Sequence, residues 1–266
     1  MSLRQAIGFF AGAGYCDEAV AFFARMTGTP SAAVKNLINQ LFLDYISCGY
    51  WNLSDVIVRF NIFDAQAGLL NLKTNAINAT NVNSCVFTKY YGYEGDASTK
   101  YINSNYKPSL HGINFTLNNA HFYKDVDIID PITNIKFDGG GNGIYGLVYI
   151  GDNNATYLGL QRMNSTEGAN SGIIRVGSNF LSRQNSTQME NWSETVKTTI
   201  ASTSTTLTDG LIYLFAMTWN PDDGPRYLNA QRLRGYSLGG YCNDTIKVAV
   251  KTANDYFNTN IIGLIP

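Results

Sequence analysis

The spacing of the apolar residues changes once along this chain, and that change limits the folds that the chain can adopt. Up to about residue 50, apolar residues recur every three or four positions, as they do on one face of an α-helix. From Asp55 onward they alternate with polar residues or form short runs between Gly, Asn, Ser and Thr, which is typical of strands and turns. The sequence therefore predicts a short helical segment followed by a β-rich domain.

Two amphipathic helices are predicted in the helical segment. The first covers residues 16–27, with Asp17 near its N-cap. In the second, Thr29 is expected to cap the helix, Pro30 to open its first turn and Gly49 to end it. Two helices cannot enclose a core of their own. We therefore expect their apolar faces to pack on the β domain or on a partner subunit.

Residues 86–109 are central to the β-rich part, because they combine several tyrosines with turn-forming residues. We interpret them as an early hairpin in which Gly92, Gly95 and Asp96 form turns. Before them, apolar and polar residues alternate over 55–62 and predict the first strand.

Three later segments complete the prediction. Residues 113–117 alternate like a strand, and residues 211–219 are apolar on both faces, which indicates a central strand. A capped amphipathic helix begins at Asn243. No strand alternates with a crossover helix, so we expect a mainly β protein with two antiparallel sheets packed as a sandwich and a short C-terminal helix. The predicted division is a helical docking segment, 1–50, and the sandwich with its C-terminal helix, 51–266.

Composition and charge exclude several classes of function. The net charge is −1 and only 15% of residues are charged, so no excess of basic groups is present to bind nucleic acid. No stretch approaches the roughly 20 apolar residues of a membrane-spanning helix, so membrane insertion is not expected. The four cysteines form no C-x-x-C pair, and we expect free thiols of a protein made in a reducing cytoplasm.

A glycan site is predicted where side-chain oxygens and amides accompany an aromatic ring, because sugars pack on rings and hydrogen-bond to polar groups. The segment GDNNATY has this composition, and one tryptophan offers a further ring. The candidate residues are Asp152, Asn153, Asn154, Tyr157 and Trp192. The alternative is an ordinary turn between strands for the segment, and core packing for the rings.

A calcium site is the one cofactor that the sequence suggests. Asp222 and Asp223 are adjacent in the loop NPDDGP, and calcium takes about six to eight oxygen ligands. An Asx-rich turn explains the same residues without a metal. No other cofactor is expected.

Catalytic carboxylates are sought in YKDVDIID, which contains Asp125, Asp127 and Asp130. A glycosidase needs two carboxyl groups facing each other across the scissile bond. The residue types and spacing differ from the E-x-D-x-E strand of concanavalin-like glucanases, so we expect these residues at a solvated strand edge or turn, and a protein that is not an enzyme.

Several segments taken together resemble a known group. They are DVIVRFNIFDAQAGLLNLK, NATNVNSCVFTKYYGYEGDASTKYINSNYKPS and RLRGYSLGGY, followed by the final helix. They resemble the concanavalin A-like (laminin-G-like) jelly-roll sandwiches encoded by bacteriophages and prophages, in which Y-x-G-D-G and Y-I-D-T precede P-S and a long strand. The matching residues are Tyr93, Gly95, Asp96, Tyr101, Ile102, Pro108 and Ser109. Ala97, Asn103 and Ser104 depart from the pattern, and Ala97 matters if its backbone needs a positive φ.

This resemblance implies a phage virion structural protein, as part of a tail, a fibre or a capsid decoration. Its lectin-like sandwich would face outward for host attachment, and its partners would be other virion proteins and a host surface glycan. A homo-oligomer is compatible with this role. Two alternatives stay open: a purely structural subunit with protein contacts only, and a polysaccharide-cleaving enzyme.

Overall fold

The computed structural model describes residues 14–129, 136–142, 145–152, 160–165, 169–170, 176–218 and 224–265. Two antiparallel sheets face each other, and helices cover the outer face of one of them. This arrangement confirms the expected mainly β sandwich with helices near both ends of the described chain.

The larger sheet has eight strands, which are numbered here in chain order. Across the sheet lie β13 (Val196–Ala201), β12 (Gln188–Ser193), β11 (Gly177–Arg183), β6 (Ala120–Ile128), β15 (Arg232–Gly239), β4 (Gly92–Glu94) and β3 (Val86–Thr88). β1 (Ser54–Arg59) also pairs with β15, antiparallel. We call this the eight-stranded sheet.

The second sheet has seven strands. Across it lie β10 (Ala169–Asn170), β9 (Leu160–Ser165), β8 (Tyr145–Asp152), β7 (Lys136–Asn142), β14 (Tyr213–Leu214), β5 (Tyr101–Asn103) and β2 (Thr80–Val82). All pairs between these named strands are antiparallel.

Five α-helices and one short 3₁₀ turn occur in the described residues. They are α1 (Asp17–Phe23), α2 (Ala32–Ser47), α3 (Tyr50–Leu53), the 3₁₀ turn (Ala67–Leu69), α4 (Pro108–His111) and α5 (Asp244–Ile262). None of the helices described is long and apolar enough to cross a membrane. The cap of α5 is as predicted, because the Asn243 side chain accepts a hydrogen bond from the Ile246 N–H at 3.0 Å.

The predicted cap of α2 is wrong by two residues. Ser31, with extended backbone, is the N-cap, and its hydroxyl accepts a hydrogen bond from the Val34 N–H. Thr29 and Pro30 therefore lie before the helix. Ser is as good a cap as Thr, and the extended backbone that a cap requires falls at Ser31.

Two buried cores follow from the alternation of strand residues. On β6, Phe122 and Val126 point into the core between the sheets, whereas Tyr123 points to the helices. The helix-facing core contains apolar residues of α1, α2 and α5, such as Phe22 and Phe257. The apolar faces of the helices thus pack on the sheet of their own chain, which is one of the two expected alternatives. The division between 1–50 and 51–266 stays a prediction.

The segment 86–109 is a hairpin only in its first part. β3 and β4 form it, and its turn contains Tyr90 with φ 68°. Gly92 lies in β4 rather than in the turn, and it must be glycine because a Cβ there would meet the Leu233 carbonyl oxygen at 2.0 Å. Asp96 does form a turn, and the chain then crosses to β5 in the other sheet.

Two strand predictions are wrong. Residues 113–117 contain no strand, only an isolated bridge between Thr116 and Asn119. Asp125 and Asp127 do not lie at a solvated edge, because β6 is a central strand in which Lys124 and Asp125 are buried. Within the described residues 211–218, Tyr213–Leu214 forms a strand whose position between β7 and β5 is central as expected, and Met217 forms isolated bridges to Gly139 and Arg226.

Candidate functional site

The two sheets differ in what covers their outer faces. α1, α2 and α5 all contribute buried residues to the core on the outer face of the eight-stranded sheet. None of the three contributes to the core between the sheets. Within the described ranges, the outer face of the seven-stranded sheet is therefore the β surface that the helical layer leaves open, and we call it the open face.

Two tyrosines lie side by side on the open face. Ile102 and Leu214 pair across β5 and β14 and are buried between the sheets, so alternation places Tyr101, Asn103 and Tyr213 on the outer face. Tyr101 is partly buried and also packs against the core between the sheets. The Tyr101 and Tyr213 ring centroids are 5.4 Å apart and the rings are nearly perpendicular, at 89°. Both side chains are partly exposed. The pair forms an aromatic corner that is accessible from solvent.

Fixed amide groups lie beside this corner. The Asn103 side-chain oxygen accepts a hydrogen bond from the Asn105 N–H at 2.9 Å. The Asn105 amide donates to the Asn78 carbonyl oxygen at 2.7 Å and to the Thr80 hydroxyl at 2.8 Å. These contacts hold β2 and β5 together beside the rings and leave the Asn103 amide N–H groups as donors for a ligand.

The residue beside Tyr213 on β7 is a glycine, which has no side chain. Tyr213 pairs with Asn103 on one side and with Gly139 of β7 on the other. Paired residues share a face, so Thr80, Asn103, Tyr213 and Gly139 form one row across four strands. Because Gly139 has no side chain, it leaves space on the open face beside the Tyr213 ring.

The hydroxyl groups of Tyr101 and Tyr213 are available to a ligand. Partial burial raises the pKa of Tyr213, and the nearby Tyr101 raises it further. Among the described residues, neither hydroxyl has a hydrogen-bond partner. Each can therefore donate to or accept from a ligand hydroxyl.

The turn before β5 is rigid. Asp96 accepts hydrogen bonds from the backbone N–H groups of Ser98, Thr99 and Lys100 at 2.8–2.9 Å. Slight burial alone would raise the pKa of Asp96, but these hydrogen bonds lower it to about 2. The ionised carboxylate thus fixes the chain that leads into Tyr101.

Most of the sequence-predicted site lies outside the described residues. Asp152 ends β8, but Asn153, Asn154 and Tyr157 fall in the undescribed segment after it. The proposed calcium ligands, Asp222 and Asp223, also lie outside. In the part of the chain that is described, no group of His, Cys, Asp and Glu could hold a metal ion. These residues stay predictions.

Trp192 lies on the covered side of the molecule. It is only 4% exposed and packs in the helix-facing core, with its ring centroid 5.8 Å from that of Phe180. The cause is the alternation on β12: Met189 points between the sheets, so Trp192 points to the helices. The faces of this ring are not accessible to a sugar. Trp192 packs in the core, which was the alternative interpretation of this residue.

The aspartates of β6 are held by arginines. Arg59 donates to Asp125 at 2.9 Å, and Arg232 donates to Asp127 at 2.5 Å. Arg234 also bonds to Asp127. The oxygens of both carboxylates are thus engaged by guanidinium groups, and Asp130 lies outside the described residues.

A serine and a histidine are adjacent in the covered core but have no access to substrate. His121 Nε2 is 2.9 Å from the Ser237 hydroxyl, and His121 Nδ1 is 2.5 Å from the Gly240 carbonyl oxygen. Both side chains are fully buried, and burial lowers the pKa of His121 to about 4. The pair is a buried hydrogen-bond network between β6 and β15.

Sequence reasoning named Tyr101 as part of an aromatic segment but missed the site. Tyr213 lies within an apolar run that indicated a strand covered on both faces. The missing signal is the pairing of β5 with β14, which are more than 100 residues apart in sequence. Alternation within the run, Tyr213 outward and Leu214 inward, is the local sign of an open face.

No protein-family model and no curated protein matches this chain. Among solved structures, it is similar to domain 4 of an extracellular arabinanase from Geobacillus stearothermophilus, solved in complex with arabinotriose. The TM-score is 0.46 at 10% identity, covering 73% of this chain and 98% of that domain. The Trypanosoma rangeli sialidase gives 0.44 at 10% identity, covering 84% of this chain but 39% of the sialidase. The botulinum neurotoxin serotype D binding domain gives 0.44 at 10% identity, covering 77% and 53%. At this level of similarity, no residue role or ligand is carried over.

Proposed function

We propose that this protein is a non-catalytic phage virion subunit that binds glycans of the host surface through its open face. The observation that carries the proposal is the exposed Tyr101–Tyr213 corner beside the Asn103 amide, on the sheet face left free by the helices. The virion assignment is supported by the sequence resemblance alone.

The chemistry of the corner suits a sugar. The apolar C–H face of a pyranose packs on an aromatic ring, and its hydroxyls hydrogen-bond to amides and phenols around it. The perpendicular rings of Tyr101 and Tyr213 offer one face and one edge to the same ligand. The polar groups beside the two rings are the neutral amides of Asn103 and Asn105 and the Thr80 hydroxyl. The proposed ligand is therefore a neutral glycan.

The test is binding to purified host polysaccharide. Tyr101→Ala and Tyr213→Ala are expected to weaken binding at least tenfold each, which corresponds to about 1.4 kcal/mol. Tyr256→Ala is the matched control, because Tyr256 is 40% exposed on α5, on the opposite side of the molecule. Unchanged binding by both open-face variants, or no retention of the native protein on any host glycan, would refute the proposal.

The virion part of the proposal needs its own experiment. An electron-microscopy map of the assembled particle would place the subunit, its neighbours and its oligomeric state. We expect the open face to point outward and the helical layer to lie toward other virion proteins. Absence of the protein from purified particles would contradict this assignment without affecting the glycan experiment.

A second candidate function is a structural subunit with protein contacts only. Leu110 and Ile113 are 72% and 84% exposed. Leu110 lies on α4, and the loop after it is fixed because the Asp55 carboxylate accepts hydrogen bonds from the Ile113, Asn114 and Phe115 N–H groups at 2.9–3.2 Å. Exposed aliphatic groups on a fixed loop suit contact with a protein.

The two candidates differ in which variants matter. Under the structural alternative, Leu110→Ser and Ile113→Ser reduce incorporation into particles, and Tyr101→Ala leaves host adsorption unchanged. Under the glycan proposal, Tyr101→Ala impairs adsorption of fully assembled particles. Release of reducing ends from host polysaccharide would instead indicate a polysaccharide-cleaving enzyme.

A further inference from the structure

A lysine and an aspartate meet in the core between the sheets. Lys124 lies on β6 of the eight-stranded sheet, and Asp138 lies on β7 of the seven-stranded sheet. The Lys124 Nζ is 2.7 Å from an Asp138 carboxylate oxygen, Oδ2, and both side chains are 0% exposed. Neighbouring side chains on β6, Phe122 and Val126, belong to the apolar core. This is an ionisable pair in an apolar site that links the two sheets.

Gln231 and Phe215 also hydrogen-bond to the pair. The Gln231 side-chain oxygen accepts a hydrogen bond from Lys124 Nζ at 3.2 Å, and the Gln231 amide donates to Asp138 Oδ2. The Phe215 N–H donates to the other oxygen, Oδ1, at 2.5 Å. Phe215 has φ 66°, a conformation that an aromatic residue rarely adopts. Both carboxylate oxygens are therefore polarised by donors aimed at them.

Condensation of the pair requires the neutral amine and the neutral carboxylic acid. Removing two charges from water costs several kcal/mol per ion, which their attraction repays only in part. Transfer of one proton from Nζ to Oδ2 converts the ion pair into an amine and a carboxylic acid without moving either backbone. The amine is then a nucleophile in contact with the carboxylic acid that would acylate it.

We propose that Lys124 and Asp138 condense to an intramolecular isopeptide bond that joins the two sheets. The Nζ lone pair adds to Asp138 Cγ, and the negative charge that develops on Oδ1 is stabilised by the Phe215 N–H. A second proton moves from the nitrogen to the hydroxyl at Oδ2. The C–Oδ2 bond breaks, and one molecule of water leaves. No electrons are transferred and no cofactor is consumed.

The fixed geometry supplies the driving force for this step. Groups held in contact react with effective molarities of about 10⁵–10⁸ M. The product is a neutral amide, so the buried charges disappear. Its oxygen keeps the Phe215 N–H as a donor, and its N–H can donate to the Gln231 side-chain oxygen. Gln231 thus orients both reactants but carries no titratable proton.

The intact mass of the full-length protein tests the proposal directly. We expect the measured mass to be lower than the sequence mass by one water. After protease digestion, a branched peptide containing residues 124 and 138 should replace the two linear peptides. A full sequence mass, with both linear peptides recovered and no branched one, would overturn the proposal.

Three variants check the chemistry. Lys124→Arg should keep the full sequence mass. Asp138→Asn should give the same cross-linked product by loss of ammonia instead of water. Gln231→Glu should speed the reaction, because a carboxyl group at that position can carry the proton between nitrogen and oxygen. A mass deficit that persists in Lys124→Arg would assign the loss to another site and contradict the proposal.

Discussion

The covered face of the eight-stranded sheet and the open face of the seven-stranded sheet use polar and aromatic residues in opposite ways. On the covered face, Arg59, Asp125 and Trp192 are buried by the helices and hold one another or the core in place. On the open face, Tyr101 and Tyr213 have partly exposed rings and hydroxyls that bond to none of the residues that the structure describes. The comparison teaches that the layer above a residue, more than its type, decides whether its polar groups stabilise the fold or remain available to a ligand.

The largest expected effect lies in the buried charges of the covered face. Asp125→Ala leaves the buried Arg59 guanidinium without its carboxylate, and we expect it to lower the free energy of unfolding by about 3–5 kcal/mol. Chemical denaturation measures this. The double variant Arg59→Met with Asp125→Leu should recover part of the loss. If Asp125→Ala costs no more than a surface substitution, the covered face is not the rigid region described here.

The next largest effect is a decrease in the stability of the protein at acid pH. His121 titrates near 6.5 when unfolded and at about 4 when folded, since burial disfavours its charged form. The unfolded state therefore binds the proton first as pH falls. Stability is full above about pH 6.5 and decreases toward pH 4, by up to about 3 kcal/mol.

Denaturation at several pH values checks this window. His121→Gln should flatten the curve between pH 6.5 and 4 while lowering stability at neutral pH. Loss of the Asp96 hydrogen bonds contributes only below about pH 4, because the pKa of Asp96 is lowered to about 2. A native curve with no slope between pH 6.5 and 4 would contradict the buried neutral state of His121.

A smaller effect is expected in the segment that connects the sheets. Ala97 has φ 58°, which costs a residue with a Cβ about 1 kcal/mol relative to glycine. Ala97→Gly should therefore raise the free energy of unfolding by up to about 1 kcal/mol, and Ala97→Val should lower it. Thermal unfolding distinguishes them. Destabilisation by glycine would show that Ala97 is not held in this conformation.

The smallest effect on stability is expected on the open face. Tyr213→Phe removes a hydroxyl that has no hydrogen-bond partner in the described structure, so we expect a change within about 0.5 kcal/mol. The same variant should weaken glycan binding. A marked loss of stability with unchanged binding would reverse the contrast between the two faces.

Features that depend on neighbouring residues were predictable from sequence. The cap and apolar stripe of α5 are complete within 20 residues, and both were located correctly. β6 was not recognised, because Lys124 and Asp125 make it look like a solvated segment. Their partners, Asp138 and Arg59, come from other strands, and no local pattern reports such pairing. The candidate site was not predicted for the same reason, since Tyr101 and Tyr213 become neighbours only when β5 pairs with β14.

Because α1, α2 and α5 of the described chain all pack on the eight-stranded sheet, the molecule has a helical side and an opposite, open side. Val248 is 53% exposed on α5. A cysteine introduced there would attach the protein to a sensor chip by its helical side and leave Tyr101 and Tyr213 accessible from solution. Attachment through the open face would block those rings instead. Oriented immobilisation thus converts the one-sided helical layer into a direct readout of which side of the subunit meets a surface.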